Sequence, residues 1–165
     1  MKSLVTINFI EHIRNNKVIW KAENIKNLIH LTGREFLVKT AFSNNGSLVP
    51  DNYYLGLDAR DDLIEEDDLD SLLDEPSGSG YVRQSLSSSG TGFAITSTSG
   101  VYKALSNIVT FSASGSGWGP VKNMFLATTA NNSGILISSL VLTSPITTVA
   151  GDSISVQIAL SLQDI

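Results

Sequence analysis

The sequence predicts an all-β protein: an antiparallel β-sandwich or jelly roll with an extended N-terminal arm and one short helix. Three observations lead there. From Gly80 onward, short apolar runs are separated by Ser/Gly/Thr/Asn clusters at intervals of roughly 8–12 residues, the rhythm of strands and turns. Residues 153–162 alternate strictly, with Ile154, Val156, Ile158, Leu160 and Leu162 opposite Ser153, Ser155, Gln157, Ala159 and Ser161. That period of two marks a half-buried antiparallel strand. No convincing helical pattern intervenes between these runs, which favours two packed sheets over alternating strands and helices.

Taken in order, VTINFI (5–10) and KVIWKA (17–22) are short β-leaning runs with Asn15–Asn16 as the turn between them. Residues 1–30 show no long clean period and read as an arm ahead of a domain spanning 31–165. The charge is uneven in the same sense. Through position 40 there are seven Lys/Arg against three acids, and from 41 onward four against thirteen. A basic, partly apolar arm on an acidic body suits an interaction element. Phe9, Ile13, Arg14, Val18, Trp20 and Lys21 are its candidate partner-facing residues, by strand addition onto a neighbour. The competing reading makes these residues the sandwich's own first strands.

GREFLVKTAF (33–42) reads as a helix, with Phe36, Leu37, Val38, Ala41 and Phe42 on one face, Thr32 capping its start and SNNGS ending it. Asn45–Gly46 within that ending is a turn signal. NYYLGL (52–57) is an aromatic strand. It runs into an acidic loop, 58–75, that holds ten of the sixteen acids. Leucines in this loop allow a helical turn or two before Pro76. Strands are then expected at GYVRQSL, GFAITST, VYKALS, NIVTFSAS, VKNMFLATT, GILISSLVLT and DSISVQIALSL. Turns fall at SSSGTG, SGSGWGP, ANNSG, SPITT and AGD.

At 165 residues the chain fits one domain. It contains no cysteine, which removes disulfides, a thiolate nucleophile and cysteine-ligated zinc. No secretory signal and no apolar run of about 18 residues is visible, so a soluble product made in the cytoplasm, without membrane contact, is expected. The acidic bulk disfavours nucleic acid as a partner.

Catalytic constellations are hard to assemble. His12 and His30 are the only imidazoles, both sit in the first thirty residues, and no G-x-S-x-G elbow occurs. Both are expected to be ordinary polar positions of the arm. The glycines of FSASGSGWGP (111–120) would suit a phosphate cradle if a helix followed, but a β-branched, apolar run does. Gly78-Ser79-Gly80 and Gly90-Thr91-Gly92 likewise open strands. Asp58, Asp61, Asp62, Glu65, Glu66, Asp67 and Asp68 offer oxygen ligands for a hard cation, yet without the spacing of an EF-hand, and a solvated acidic loop is the favoured reading. Trp20, Trp118, Tyr53, Tyr54, Tyr81 and Tyr102 are candidates for a sugar-stacking face, with core or interface packing favoured for each. No catalytic residue, cofactor or metal ligand is nominated, and the chain is expected not to be an enzyme.

Several stretches together carry a resemblance: Tyr54-Leu55-Gly56-Leu57, Glu75-Pro76-Ser77-Gly78-Ser79-Gly80-Tyr81-Val82-Arg83, Trp118-Gly119-Pro120-Val121 and Val149-Ala150-Gly151-Asp152. Across roughly residues 33–162 the chain resembles a widespread group of small bacteriophage virion proteins, described as structural, cement or tail-fibre-like. The resemblance implies a β-sandwich that assembles symmetrically, often as a trimer, on the capsid exterior, bound to the major capsid protein. A tail, neck or fibre component is the alternative within the virion, and a carbohydrate-binding module the alternative outside it. Gly115, Gly117, Trp118, Gly119, Pro120, Gly151 and Asp152 form its structural signature. In that setting the glycines permit positive φ and close approach between strands. Trp118 anchors the returning strand by burying its ring, and Pro120 suits a strand entry that needs no ladder donor.

Overall fold

A computed structural model describes residues 2–43, 48–61, 63–98 and 101–163. Among them two antiparallel sheets pack face to face as a sandwich. The chain opens with a hairpin, β1 (Lys2–Arg14) and β2 (Lys17–Lys26), turned by Asn15 and Asn16 at φ 50° and 60°. Two consecutive left-handed residues make the tight turn whose twist matches the strands, and asparagine tolerates that conformation better than most side chains. A two-residue strand, β3 (Leu28–Ile29), then joins the other sheet ahead of the helix α1 (Leu31–Phe42).

The remaining strands are β4 (Asn52–Asp58), β5 (Gln84–Ser87), β6 (Phe93–Thr98), β7 (Val101–Ser106), β8 (Val109–Ser112), β9 (Val121–Ala127), β10 (Leu136–Ile146) and β11 (Ser153–Gln163). The first sheet runs β2-β1-β11-β7-β6, with β8 also beside β11. The second runs β3-β10-β9-β4-β5. The sandwich expectation holds. This strand order does not establish the paired four-stranded Greek keys of a jelly roll. No helix among the described residues is long and apolar enough to cross a membrane.

The arm is the main correction. Residues 1–30 supply two strands of the first sheet, and β1 is an interior strand. It pairs with β11 from Lys2↔Gln163 to Ile13↔Ser153 and with β2 on its other side. Ile7 and Ile10 are almost fully buried in the main core. Two register shifts, one against each neighbour, explain why this stretch shows no clean period. A bulge moves the side chains after it out of step with those before it.

Elsewhere the differences are local. α1 begins at Leu31, with His30 at its N-cap, and Thr32 Oγ1 donates to Leu136 O instead of capping. The helix buries Gly33 and Phe36, whereas Val38 and Phe42 are exposed. The packed face differs from the expected one because glycine does the packing: a Cβ at Gly33 would run into the backbone of Ile137. The Asn45–Gly46 turn lies outside the described residues. SPITT is not a turn, since β10 continues to Ile146. Its register with β9 shifts between Val141 and Ile146, so Pro145 sits where the ladder is already irregular.

β11 keeps its alternation at Ile154, Val156 and Ile158, which are buried in the core. Ala159 and Ser161 are buried as well, small residues of a strand flanked by β1 and β7.

The acidic segment is more folded than a solvated loop. Leu69 and Leu72 bury themselves with Phe125, Ala127 and Leu136 in a second, smaller core. Between them a single 3-10 turn, Leu69–Ser71, is capped reciprocally: Asp68 Oδ1 accepts from Ser71 N at 3.0 Å, and Asp68 N donates to Ser71 Oγ at 3.3 Å.

The glycine stretch that joins β8 to β9 carries the chain from the first sheet to the second. Gly115, Gly117 and Gly119 have φ of 54°, 74° and 131°. Gly119–Pro120 is cis. A Cβ on Gly117 would strike Thr148 O, and one on Gly119 would sit 2.6 Å from Ile146 O. The segment is therefore pressed backbone to backbone against the end of β10. Thr148 clamps it: Thr148 Oγ1 accepts from Trp118 N at 2.8 Å, and Thr148 N donates to Trp118 O at 2.9 Å. Trp118 is buried, with Tyr81 edge-on at 5.9 Å and Tyr81 stacked on Phe111 at 6.0 Å.

Two outcomes follow. Deleting residues 1–30 removes Ile7 and Ile10 from the core and bares one whole side of β11. The truncated chain should give no cooperative unfolding transition, and a folded, monomeric remainder would return these residues to the status of an arm. Gly117→Ala adds a backbone clash to a left-handed residue and should cost about 3 kcal/mol in urea denaturation. Gly78→Ala, at φ 69° with open space around it, should cost only about 1 kcal/mol. Equal losses would mean that conformation alone, without the contact at Thr148, governs the crossover.

Candidate functional site

The proposed partner-facing residues belong to the β1–β2 hairpin, so the hairpin is where a site has to be sought. Val18 and Ile19 are about half exposed, at 51% and 50%, on the strand that ends the first sheet. Trp20 packs partly into the main core. Phe9 and Ile13 are half-buried in β1, and the Lys21 ammonium lies 5.5 Å from the centre of the Phe9 ring. Lys21 also pairs with Glu11 at 3.1 Å and Glu23 at 2.8 Å. Of the six residues, Val18 is the apolar one that is exposed, whereas Phe9, Ile13 and Trp20 are half-buried. The positive charges of Arg14 and Lys21 already face carboxylates of the chain itself.

Arg14 belongs to the best-built polar cluster of the hairpin. Asp152, almost fully buried in the turn between β10 and β11, accepts from Arg14 Nε at 2.9 Å and from Arg14 Nη2 at 2.6 Å. His12 Nε2 lies 2.8 Å from Asp152 Oδ2, and Val149 N donates to the same oxygen at 3.0 Å. The Arg14 guanidinium, followed by His12 and the Val149 amide, holds the carboxyl well below the usual carboxylate range despite its burial. This cluster ties the first strand to the last turn. Sequence reading missed it because the partners are 140 and 138 positions apart.

His12 and His30 are both buried, contrary to the expectation of ordinary positions on an arm. His30 Nε2 is 2.8 Å from Ser139 Oγ, inside the second sheet's side of the core. Burial pushes its pKa down. The imidazole beside a carboxylate and the imidazole beside a hydroxyl are thus different residues, anchored to different sheets. Neither pair assembles nucleophile, base and orienting group in one place.

Most of the carboxylates proposed for a cation are engaged with the protein, while Glu66 is exposed. Asp61 pairs with Lys122 at 2.6 Å, Glu65 with Arg34 at 2.8 Å, and Asp67 with Arg60 at 3.4 Å. Asp68 caps the 3-10 turn, and Asp62 lies outside the described residues. Asp58 differs. It is fully buried opposite Asn123 across β4 and β9. Asp58 Oδ1 accepts from Arg60 N at 2.8 Å, and Asn123 Nδ2 donates to Arg60 O. Asp58 Oδ2 and Asn123 Oδ1 are left without hydrogen-bond partners. Two such oxygens fall short of the six to eight that a calcium site gathers, and no group of three His, Cys, Asp or Glu side chains is placed to hold a metal among the described residues. Burial pushes the Asp58 carboxyl up, and its protonated form turns one of the two acceptors into a donor.

The resemblance motifs prove to be structural knots. Glu75 takes Arg83 in a two-pronged pair, with Arg83 Nε to Oε1 at 2.9 Å and Nη2 to Oε2 at 2.7 Å. It also accepts from Tyr81 Oη at 2.7 Å. Tyr81 Oη in turn accepts from Leu57 N at 2.8 Å, and the Arg83 guanidinium sits 4.9 Å from the centre of the Phe125 ring. Burial and then the Glu75 charge push the Tyr81 phenol well above its ordinary range, so it stays a neutral donor. Gly56 packs directly on the Phe125 ring, where a Cβ has no room. The aromatics do not form one open sugar-stacking face: Trp118 is buried, Tyr81 is held among Phe111 and Trp118, and Tyr102 is the strongly exposed one.

Asp152→Asn leaves buried His12 and the partly exposed Arg14 facing a neutral amide, and with Arg14 screened by solvent it should cost about 2 kcal/mol at pH 7. Asp58→Asn should stay within about 1 kcal/mol of the parent, since it keeps the acceptor for Arg60 N. The pH dependence has a defined sign. A carboxyl with a depressed folded pKa contributes stability in full above its unfolded value of about 4, and loses it as pH falls towards the folded value. Urea titrations from pH 7 to pH 3 should therefore fall more steeply for the parent than for Asp152→Asn. Parallel curves would remove Asp152 as the anchor.

No protein-family model, curated protein or solved structure matches the chain, so the function has to be argued from the geometry and the motifs.

Proposed function

We propose that the chain is a non-enzymatic structural protein of a bacteriophage virion, a cement or decoration protein on the capsid exterior that binds the major capsid protein across neighbouring subunits. The observation that carries this reading is the distribution of roles among the motif residues. Gly56, Glu75, Tyr81, Arg83, Trp118, Gly119 and Asp152 all lock turns, crossovers or strand contacts of the sandwich. A protein that works by bridging subunits needs a stiff body and an edge for a neighbour, and its binding free energy comes from buried area. The edge offered is β2, ten residues long and last in its sheet, with Val18 and Ile19 half exposed on it. Strand addition there supplies main-chain hydrogen bonds, with these side chains adding apolar area. Copies of the chain assemble as trimers in this reading, with neither nucleic acid nor membrane as partner.

Quantitative mass spectrometry of purified virions tests the class. A copy number comparable with the capsid protein, and heads that release DNA at lower temperature without the chain, are expected. A handful of copies per particle would move the assignment to a tail, neck or fibre component. The edge is tested separately. Val18→Ser with Ile19→Ser, both at exposed positions, should change folding stability by less than about 1 kcal/mol while lowering binding to undecorated heads at least about tenfold, the equivalent of 1.4 kcal/mol. Unchanged binding would take β2 out of the contact.

A further inference from the structure

The glycine contact that seats α1 on β10 has a consequence one turn along the helix. Beyond Gly33, Phe36 roofs a cavity of about 250 Å³ between the two sheets. Leu126 and Ile137 wall it on the second sheet, and Ala104 and Leu160 on the first. Tyr53 and Phe93 close its side, with Tyr53 edge-to-face against Phe36 at 6.4 Å and against Phe93 at 6.2 Å. Leu126, Ile137 and Phe36 are buried, while Ala104, Leu160, Tyr53 and Phe93 are only half-buried. The floor is therefore core and the rim reaches solvent, which gives a route in.

Protein interiors are packed like organic crystals, with few voids larger than a water molecule. This space is instead a pocket open to solvent along its rim, over a buried apolar floor. Among the described residues its lining side chains are aliphatic and aromatic, with Tyr53 the one that carries a hydroxyl, so water held there finds few hydrogen-bond partners. An apolar cavity of about 150 Å³ stays dry and takes up benzene. A pocket of about 250 Å³, although open on one side, has room for a two-ring aromatic or an alkyl chain of medium length. No charged side chain among the described residues lines the space, so an ionised ligand would lose its hydration without compensation.

We propose that this cavity is a binding site for a small, uncharged, largely apolar ligand, with the Tyr53 hydroxyl serving one hydrogen-bonding group at the rim. The inference is independent of the virion reading. A cement protein with such a site is a carrier or sensor of apolar molecules as well, and a protein of another function keeps the site.

The test uses the full chain and three probes of one shape: naphthalene, 2-naphthol and naphthalene-2-carboxylate. Methyl NMR should show saturable shifts at Leu126, Ile137 and Leu160 with the two neutral probes, and at least about tenfold weaker binding of the carboxylate. Ala104→Leu fills the space. It should abolish the shifts and raise the melting temperature, since the added methyl groups occupy a void. If that variant fails to fold, Leu160→Phe serves the same purpose. Unmoved methyl resonances at saturating naphthalene would overturn the proposal. So would undiminished binding by a folded filling variant, or shifts confined to the exposed Val38 and Phe42 face of α1.

Discussion

The first sheet is organised around its last strand. β11 holds β1 along nearly its whole length on one side. On the other it holds β8 through Ser153–Val156 and β7 through Ala159–Ser161. Without β11 the N-terminal hairpin and the β6–β7 hairpin have no shared ladder and no common core face. The partners are also the two ends of the chain, so the pairing closes a loop of almost the full sequence. Such closure costs entropy before any contact compensates it, which makes a secured register valuable. Asp152 secures it, by fixing Arg14 and His12 at the point where β11 begins.

The second requirement is passage between sheets. The chain changes sheet four times, after β2, β5, β8 and β10. At each passage backbone groups leave a ladder and must find other partners. The β8–β9 passage shows how this is met. Left-handed glycines let the segment lie on the end of β10, and Thr148 supplies both donor and acceptor to Trp118. The aromatic trio of Phe111, Tyr81 and Trp118 then fills the space between the sheets there. Glu75 holds Tyr81 in place, which couples the acidic segment to the same corner. The opposite corner, under α1, is where packing is incomplete and where a cavity remains.

These two corners differ in how completely their groups are packed and paired. Where the resemblance motifs lie, most hydrogen bonds and ring contacts are made, with the buried Trp118 Nε1 the donor left unpaired, and substitution there should act through folding. Surfaces with capacity to spare are elsewhere: the β2 edge, and the apolar cavity between helix and sheets.

Much of the architecture was legible locally. Strict alternation in 153–162, the Asn15–Asn16 turn and the spaced glycines are short-range signals, and each led to the right element because its cause is short-range. The role of residues 1–30 was not legible. Their period is broken by bulges, and whether a β-leaning segment is an arm or an interior strand depends on a partner at the other end of the chain. The helix face was misread for a related reason: Gly33 packs through its lack of a side chain, which hydrophobic patterning does not register. The His12–Asp152–Arg14 cluster, the Asp58–Asn123 pair and the cavity under α1 all join residues far apart in sequence. The sequence by itself determined the sandwich class and most of its turns, since strand period and backbone conformation are local properties, while SPITT shows the exception. Only the tertiary structure decided which strands are interior, which charges are anchors and where space is left, because those depend on what the other sheet brings within reach.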